Sequence, residues 1–262
     1  MKNKSLLISL IFTLILMNNS YGQYDFKLVD IENGKDIHYN QIFNTYNLNS
    51  DIPTLIITWS GKWCYPCIRL INRYHDCDLE MMNLITINVD EDSVRDEVMD
   101  KGYHLNWENA LNFHANLGKD KKGFDNIFNV TTAPLVIIIE DGKISHAVGD
   151  YTLYPHKLLL GELINDYKFI WNNSEELNNL AWYYYNYVDD PAGLQIALEC
   201  VKRSMELDKN YNNTDTYAAL LFKTGENTKA LKVAKEAIEI AKANDEDYET
   251  TTDLINEIIE EL

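Results

Sequence analysis

The sequence is short of positive charge. Its 23 lysine and arginine residues stand against 41 aspartate and glutamate residues, so the formal net charge is −18 at pH 7. Because nucleic acids and anionic membrane surfaces bind basic proteins, this balance argues against both as partners. Acidity on this scale favours solubility and indicates no specific ligand.

Long hydrophobic runs are also scarce. The run from Leu6 to Met17 has 12 residues, which is too short for a comfortable transmembrane helix. Two lysines precede it, the small-residue segment Ser20-Tyr21-Gly22 follows it, and no cysteine follows that would anchor a lipoprotein. Residues 1–22 are therefore predicted to be a secretory signal peptide cleaved before Gln23, with an uncleaved membrane anchor as the alternative. The mature protein would then be periplasmic or secreted.

Cysteine is sparse as well, with four residues in the chain. Cys77 and Cys200 lie far apart in the sequence. A disulfide between them is one alternative, but buried free thiols are favoured. The other two, Cys64 and Cys67, form a C-x-x-C motif.

This motif follows an apolar, β-branched run and a turn of small residues. The pattern predicts a central strand from Ile52 to Thr58 and a helix from Cys64 to about His75, with Pro66 tolerated in its first turn. The N-terminus of a helix presents unpaired N–H groups and a partial positive charge, which favour a thiolate. Since only the thiolate attacks a disulfide, Cys64 is the predicted nucleophile. Cys67, one turn further in, is predicted to resolve the mixed disulfide.

A C-x-x-C pair also binds zinc, with His75 and Cys77 as conceivable completing ligands. If residues 64–76 are helical, however, Cys77 lies about 15 Å from Cys67 along the helix axis, at ~1.5 Å per residue. One metal ion cannot bridge that distance, so redox chemistry is favoured.

The segment Trp59-Ser60-Gly61-Lys62-Trp63-Cys64-Tyr65-Pro66-Cys67 resembles the active-site segment of the thioredoxin fold. Its context is similar to that of the TlpA/ResA-like thiol:disulfide oxidoreductases of the bacterial cell envelope. The tryptophan, both cysteines, the intervening proline and the preceding strand carry the resemblance, which covers roughly residues 25–171. It implies an α/β thioredoxin-like fold, in which helices flank a central mixed sheet.

The same resemblance implies a function. An envelope thiol:disulfide oxidoreductase would exchange disulfides with protein substrates, acting as a reductant supplied by an electron donor in the membrane or envelope. No metal or dissociable cofactor is implied, because electrons pass through the cysteine pair. A binding adaptor that uses the thioredoxin-like domain as a scaffold and a thiol-dependent peroxide reductase are the alternatives.

A second site residue comes from Pro134, which precedes a strand predicted from Leu135 to Ile139. In the resembling family, a proline at this point has a cis peptide bond and faces the C-x-x-C pair. An ordinary trans proline that opens an edge strand is the alternative. The resemblance thus implies a substrate-binding surface made of Trp63, Tyr65, Pro66, Ala133 and Pro134.

One residue departs from the family pattern. Many thioredoxins carry a buried acid six residues before the first cysteine, and this chain has Thr58 there. A hydroxyl cannot act as a carboxylate base at neutral pH. We therefore expect either another Asp or Glu to substitute or resolution by Cys67 to be slower, with His104 and His114 as conceivable helpers.

The remaining pattern predicts the order of elements. A hairpin turn at residues 32–35, a strand from Asn83 to Val89 and a helix from Ser93 to Lys101 are indicated, and strand–helix–strand alternation favours parallel pairing. Tyr103 to Asn112 is expected to supply an extra strand and turn. Pro155 to Trp171 is predicted to be the last helix of the thioredoxin-like domain, which would span residues 23–171.

Residues 172–262 are predicted to be wholly helical. Ala197 to Leu207 matches Ala230 to Ile240 at an offset of 33 residues, which resembles tetratricopeptide repeats. Tyr248 to Leu262 is expected to cap the stack, and the first repeat to pack on the thioredoxin-like domain. Such a tail would recruit a protein partner. Its aromatic cluster, Trp182 to Tyr187, is either a peptide-binding groove or, as is favoured, part core and part domain interface.

Overall fold

A computed structural model describes residues 25–115, 121–130 and 132–262. The predicted signal peptide, residues 1–22, lies outside the described residues. The chain divides into two compact units: one runs to His75 and from Leu79 to Leu153, and the other comprises Asp76–Asp78 and Tyr154–Leu262. Within the described ranges, no helix is long and apolar enough to cross a membrane.

The first unit is built on a mixed sheet with the strand order β2-β1-β5-β4-β3-β6-β7. β3 pairs in parallel with β4, and β4 with β5; the other neighbouring pairs are antiparallel. The strands are β1 (Lys27–Asp30), β2 (Asp36–His38), β3 (Thr54–Trp59), β4 (Asn83–Asn88), β5 (Leu111–Ala115), β6 (Val136–Glu140) and β7 (Lys143–Val148).

The helices of this unit follow the predicted alternation. They are α1 (Tyr39–Thr45), α2 (Tyr65–His75), α3 (Asp92–Asp100) and α4 (Phe124–Phe128), with a 3-10 helix at Tyr103–Asn106. Every residue of β3 and of β4 is buried, the polar ones included, because a central strand is covered on both faces. The parallel β3–α2–β4 crossover and the antiparallel β6–β7 hairpin confirm the α/β thioredoxin-like fold.

Two expected elements differ in the structure. The segment expected to give an extra strand begins as a 3-10 helix, and the strand itself, β5, starts only at Leu111. The single helix predicted from Pro155 to Trp171 is wrong: α5 (Pro155–Leu160) ends at Gly161, and a separate 3-10 helix spans Tyr167–Ile170. The break has two local causes. Glu162 adopts a left-handed backbone with φ 59°, and the Asp166 carboxylate accepts the N–H of Lys168 to cap the second helix.

The second unit continues with helices only, as predicted. These are α6 (Ser174–Tyr187), α7 (Pro191–Leu207), α8 (Tyr211–Lys223), α9 (Asn227–Asn244) and α10 (Glu249–Glu261). Asn173, Asp190 and Asn210 cap the first three through their side chains. α6 and α7 approach closely at Gly193, where a Cβ would lie 2.5 Å from Cγ1 of Val188. The tetratricopeptide-like repeat stays a prediction.

Candidate active site

Cys64 and Cys67 lie at the start of α2, after the turn that follows β3. Cys64 immediately precedes the first helical residue, Tyr65, and Cys67 is in the first turn. The two cysteines form a disulfide, with their Cα atoms 5.4 Å apart. Cys64 keeps 5% of its surface exposed and Cys67 none.

The loop between β3 and Cys64 is held by a buried carboxylate. Asp90, which follows β4, accepts the hydroxyl of Ser60 and, at 2.8 Å each, the N–H of Gly61 and the side-chain amide of Asn88. The Ser60 hydroxyl in turn accepts the N–H groups of Lys62 and Trp63, at 3.1 and 3.2 Å. Four of these hydrogen bonds involve loop residues and fix the path of the chain into Cys64, and the fifth, from Asn88, holds the carboxylate in place.

Gly61 is required in this loop for a steric reason. A Cβ at this position would lie 2.5 Å from Cγ1 of Val98 on α3. The helix thus packs directly on the loop backbone, which only glycine permits without displacement of the helix.

The expected cis peptide bond is present between Ala133 and Pro134. It brings the Ala133 carbonyl oxygen to 3.5 Å from Sγ of Cys64, where a reduced Cys64 thiol can donate to it. This contact joins the reactive sulfur to a residue outside the C-x-x-C helix. The prediction that the proline segment faces the cysteine pair is confirmed, while its role in substrate binding stays a prediction.

Thr58, which replaces the expected buried acid, anchors the proline segment. It is fully buried; its hydroxyl accepts the N–H of Leu135 at 2.6 Å, and its own N–H donates to the Leu135 carbonyl at 3.0 Å. These bonds fix the residue after Pro134 to the end of β3. The hydroxyl is therefore committed to a backbone contact, and it has a positional function that the sequence did not reveal.

Aromatic side chains lie both at the surface and in the interior near the active-site helix. Trp63 and Tyr65, the neighbours of Cys64 in sequence, are 56% and 66% exposed. Trp59 is buried and meets Trp107 edge to face at 5.0 Å. The indole N–H of Trp107 donates to Oδ1 of Asn72 at 2.7 Å, so the extra segment before β5 is bonded to the active-site helix.

The two histidines that were considered as helpers lie behind the site. His114 is in β5, in register with Asn88, and burial, reinforced by Arg95, lowers its pKa to about 4. Burial also lowers the pKa of His104. No described hydrogen bond joins either imidazole to the cysteine pair. Whether another acid substitutes for the base expected at position 58, or resolution by Cys67 is slower, stays a prediction.

Cys77 and Cys200 are both buried thiols outside any disulfide, which confirms the favoured prediction. Burial raises the pKa of each thiol, that of Cys200 to about 12. Neither is therefore a nucleophile at neutral pH. Over the described part of the chain, no group of three or more His, Cys, Asp or Glu side chains is arranged to hold a metal ion.

Sequence reasoning missed the roles of Asp90 and Thr58. A signal for Asp90 existed, because the carboxyl ends of neighbouring parallel strands meet at one edge of a sheet. Ser60 follows β3 and Asp90 follows β4, so their proximity follows from the predicted parallel pairing. Thr58 gave no comparable signal, since its partner belongs to a segment 77 residues away.

No protein-family model matches the sequence, and no curated protein matches it. Solved structures do. A thioredoxin-like protein from Porphyromonas gingivalis is 23% identical, with 55% of this chain and 92% of that chain covered and a TM-score of 0.41. StoA from Bacillus subtilis is 19% identical, with 47% of this chain and 86% of that chain covered and a TM-score of 0.32. A secreted disulfide oxidoreductase from Mycobacterium tuberculosis is 16% identical, with 53% of this chain and 92% of that chain covered and a TM-score of 0.36.

Proposed function

We propose that this chain is a thiol:disulfide oxidoreductase that reduces disulfides in protein substrates through Cys64 and Cys67. One observation carries the proposal: the two cysteines are bonded to each other at the start of α2, and the Ala133 carbonyl lies 3.5 Å from Sγ of Cys64. A scaffold protein has no need of an oxidisable pair in this position.

The reaction consists of two exchanges at sulfur. The thiolate of Cys64 attacks a substrate disulfide, forming an S–S bond to one substrate sulfur and releasing the other as a thiolate. The thiolate of Cys67 then attacks Sγ of Cys64, and the second substrate thiolate leaves. Two electrons have passed to the substrate, whose thiolates take up protons. The protein is left with its Cys64–Cys67 disulfide, which an external dithiol must reduce.

The substrate surface consists of the groups that border Cys64. Trp63 and Tyr65 offer exposed aromatic rings, and Pro66 lies between Tyr65 and Cys67. The backbone of Ala133, next to Pro134, offers a carbonyl toward the reacting sulfur. An extended peptide segment that carries a disulfide can pair with this backbone, so the substrates are proteins or peptides with accessible disulfides.

The location and direction follow from different arguments. The predicted signal peptide and the secreted setting in which disulfides persist support a place outside the cytosol, in the periplasm or beyond. The abundance of carboxylates, one of them buried beside the Cys64 loop, opposes a stable thiolate and supports a reducing pair. Its electron donor would be a membrane or envelope protein.

Insulin reduction with dithiothreitol tests the activity. The unaltered protein should accelerate precipitation of the insulin chains, and a rate equal to background would contradict the proposal. Replacing Cys67 by Ala should leave Cys64 joined to its natural partner, which mass spectrometry can identify. Equilibration with glutathione buffers should give a reduction potential nearer to roughly −270 mV than to −120 mV, and a value above about −180 mV would contradict the reducing direction.

A partner-binding role of the helical unit is a second candidate, favoured by one observation. Trp182, Tyr183 and Tyr187 are exposed on α6, the last of them by 74%. We propose that the tetratricopeptide-like helices recruit a protein partner by this face. If the protein fails to reduce insulin while it still binds such a partner, the adaptor role becomes the better account.

A further inference from the structure

Asp90 is an unusual acid for its position. It is 2% exposed, yet its carboxylate makes no ion pair in the contacts of the described residues. Its partners are the Ser60 hydroxyl, the Gly61 N–H and the amide of Asn88, and all of them donate. An ionised carboxylate, which accepts at both oxygens, satisfies this set. The loop before Cys64 is thus built around a buried negative charge.

The charge is connected to the nucleophile by a short path. Ser60 donates its hydroxyl hydrogen to Asp90 and uses its oxygen to accept the N–H of Trp63, the residue before Cys64. The backbone N–H of Cys64 donates to the Ser60 carbonyl at 3.3 Å. Movement or loss of the carboxylate would therefore shift the backbone of Cys64, because a single residue, Ser60, connects the two.

The electrostatic effect has a definite sign. A negative charge close to a thiol disfavours its ionisation, and in the protein interior water screens that charge only weakly. The N-terminus of α2 acts in the opposite direction, because its partial positive charge favours the Cys64 thiolate. The acidity of Cys64 is the balance of the two.

We propose that Asp90 is a positioning residue for the exchange reaction: through Ser60 and Gly61 it fixes the loop that carries Cys64, and its charge opposes the Cys64 thiolate and keeps the pair reducing. This inference rests on the proposed function, since it takes Cys64 as the attacking sulfur. It assigns to Asp90 the control of the redox balance that the absent acid at position 58 does not provide.

Other charged or titratable groups surround the same loop, and the variants below leave them unchanged. They are Lys62 in the loop, Lys101 with its Nζ 3.3 Å from the Gly61 carbonyl, Arg69 on α2, the neighbouring Glu91, and, on the far side of Asp90, Asp92, Arg95, His104 and His114.

The variant Asp90→Asn removes the charge with little change in shape. In the reduced protein, the rate of alkylation of Cys64 by iodoacetamide is measured against pH, with mass spectrometry to assign the labelled site. We expect the midpoint of this profile to fall by about 0.5–1 pH unit. The equilibrium with glutathione should move about three- to tenfold toward the dithiol, because a stabilised thiolate stabilises the reduced form.

Glu91→Gln is the matched control. It removes the same charge from an exposed neighbour, where solvent screens it, so its midpoint should stay that of the unaltered protein. An unchanged midpoint and an unchanged glutathione equilibrium in Asp90→Asn would overturn the proposal. Neither measurement needs a protein substrate, so failure to reduce insulin would contradict the proposed function while these readings still decide the role of Asp90.

Ser60→Ala separates position from charge and serves if Asp90→Asn does not fold. It removes the hydrogen bonds through the Ser60 hydroxyl but retains the carboxylate and its bond to the Gly61 N–H. The midpoint should therefore not fall, while the reaction of Cys64 with the small disulfide known as Ellman's reagent should slow by about fivefold or more. A variant with unchanged exchange kinetics would contradict the positioning role. A midpoint lowered as far as in Asp90→Asn would contradict the role of the charge.

Discussion

The two units of this protein place the same side chain in opposite environments. In the sheet unit, Cys64 and Cys67 lie at the start of a helix and are bonded to each other. In the helical unit, Cys77 and Cys200 are buried thiols at neither of which a helix begins. Burial raises the pKa of both thiols.

Local surroundings therefore decide which cysteines react. Helix N–H groups and the dipole lower the cost of a thiolate at Cys64. Around Cys77 and Cys200, burial raises that cost, and the nearby carboxylates Glu176 and Glu199 raise it further. The contrast lies in whether a helix N-terminus supports the thiolate, and it can be tested one side chain at a time.

The largest expected effect separates the two environments by activity. Cys64→Ser should lower kcat/KM for insulin reduction by about a thousandfold or more, because a hydroxyl at neutral pH cannot replace the thiolate. Cys200→Ser, the matched control, should retain activity within about twofold. It should still lower the free energy of unfolding by about 1–3 kcal/mol, since it buries a more polar group. A comparable loss of activity in both variants would contradict the distinction between a reactive Cys64 and an unreactive Cys200.

Much of this contrast was predictable from sequence, because its determinants are local. The strand β3, the turn and the C-x-x-C helix follow one another within 22 residues, from Thr54 to His75. β6, Val136–Glu140, lies within one residue of the strand predicted from Leu135 to Ile139, because its apolar run is itself the local signal. The favoured reading of Cys77 and Cys200 as buried thiols needed only their residue type.

The parts that were not predicted depend on pairing across the chain. Ser60 and Asp90 are 30 residues apart, and the sequence gives no measure of how their strands align in register. The break in the helix predicted from Pro155 had a different cause. Gly161 is tolerated inside a helical pattern, and nothing in the residue type of Glu162 signals its left-handed backbone.

Histidine extends the comparison to stability. In the helical unit, Glu176 is fully buried, and its Oε2 accepts the backbone N–H of His156 at 3.0 Å and lies 2.6 Å from Nδ1 of the same residue. His156→Ala removes this ring partner of a buried carboxylate. We expect a loss of about 3 kcal/mol in the free energy of unfolding, measured by urea denaturation.

Lys209→Ala is the control for this pair, because it breaks a solvent-exposed ion pair with Glu236 in the same unit. Its cost should be about 0–1 kcal/mol. Equal losses in the two variants would show that burial does not strengthen the contact between His156 and Glu176.

A chemical probe sharpens the cysteine contrast without mutation. In the protein reduced by dithiothreitol, iodoacetamide at pH 7.5 should label Cys64 about a hundredfold faster than Cys77 or Cys200, because the helix N-terminus favours the Cys64 thiolate whereas burial raises the pKa of the other two thiols. Mass spectrometry at successive times gives the three rates. In urea the rates should converge, and convergence without urea would contradict the burial of Cys77 and Cys200.

The smallest expected effect concerns His114, whose environment is the reverse of that of His156. Nδ1 of His114 has no partner in the described part of the chain, and burial, the largest cause, lowers the pKa to about 4 from an ordinary value of 6.5. As the pH falls below 6.5, the unfolded chain takes up a proton at this histidine, whereas the folded protein does not until about pH 4. Stability from this group is therefore fully present above pH 6.5 and is lost between pH 6.5 and 4.

His114→Gln should remove about 2 kcal/mol of the difference in unfolding free energy between pH 7 and pH 4. His146→Gln, on the exposed strand β7, should leave that difference unchanged. Urea denaturation at the two pH values measures both variants, and an unaltered pH dependence in His114→Gln would show that the imidazole is not kept neutral by burial.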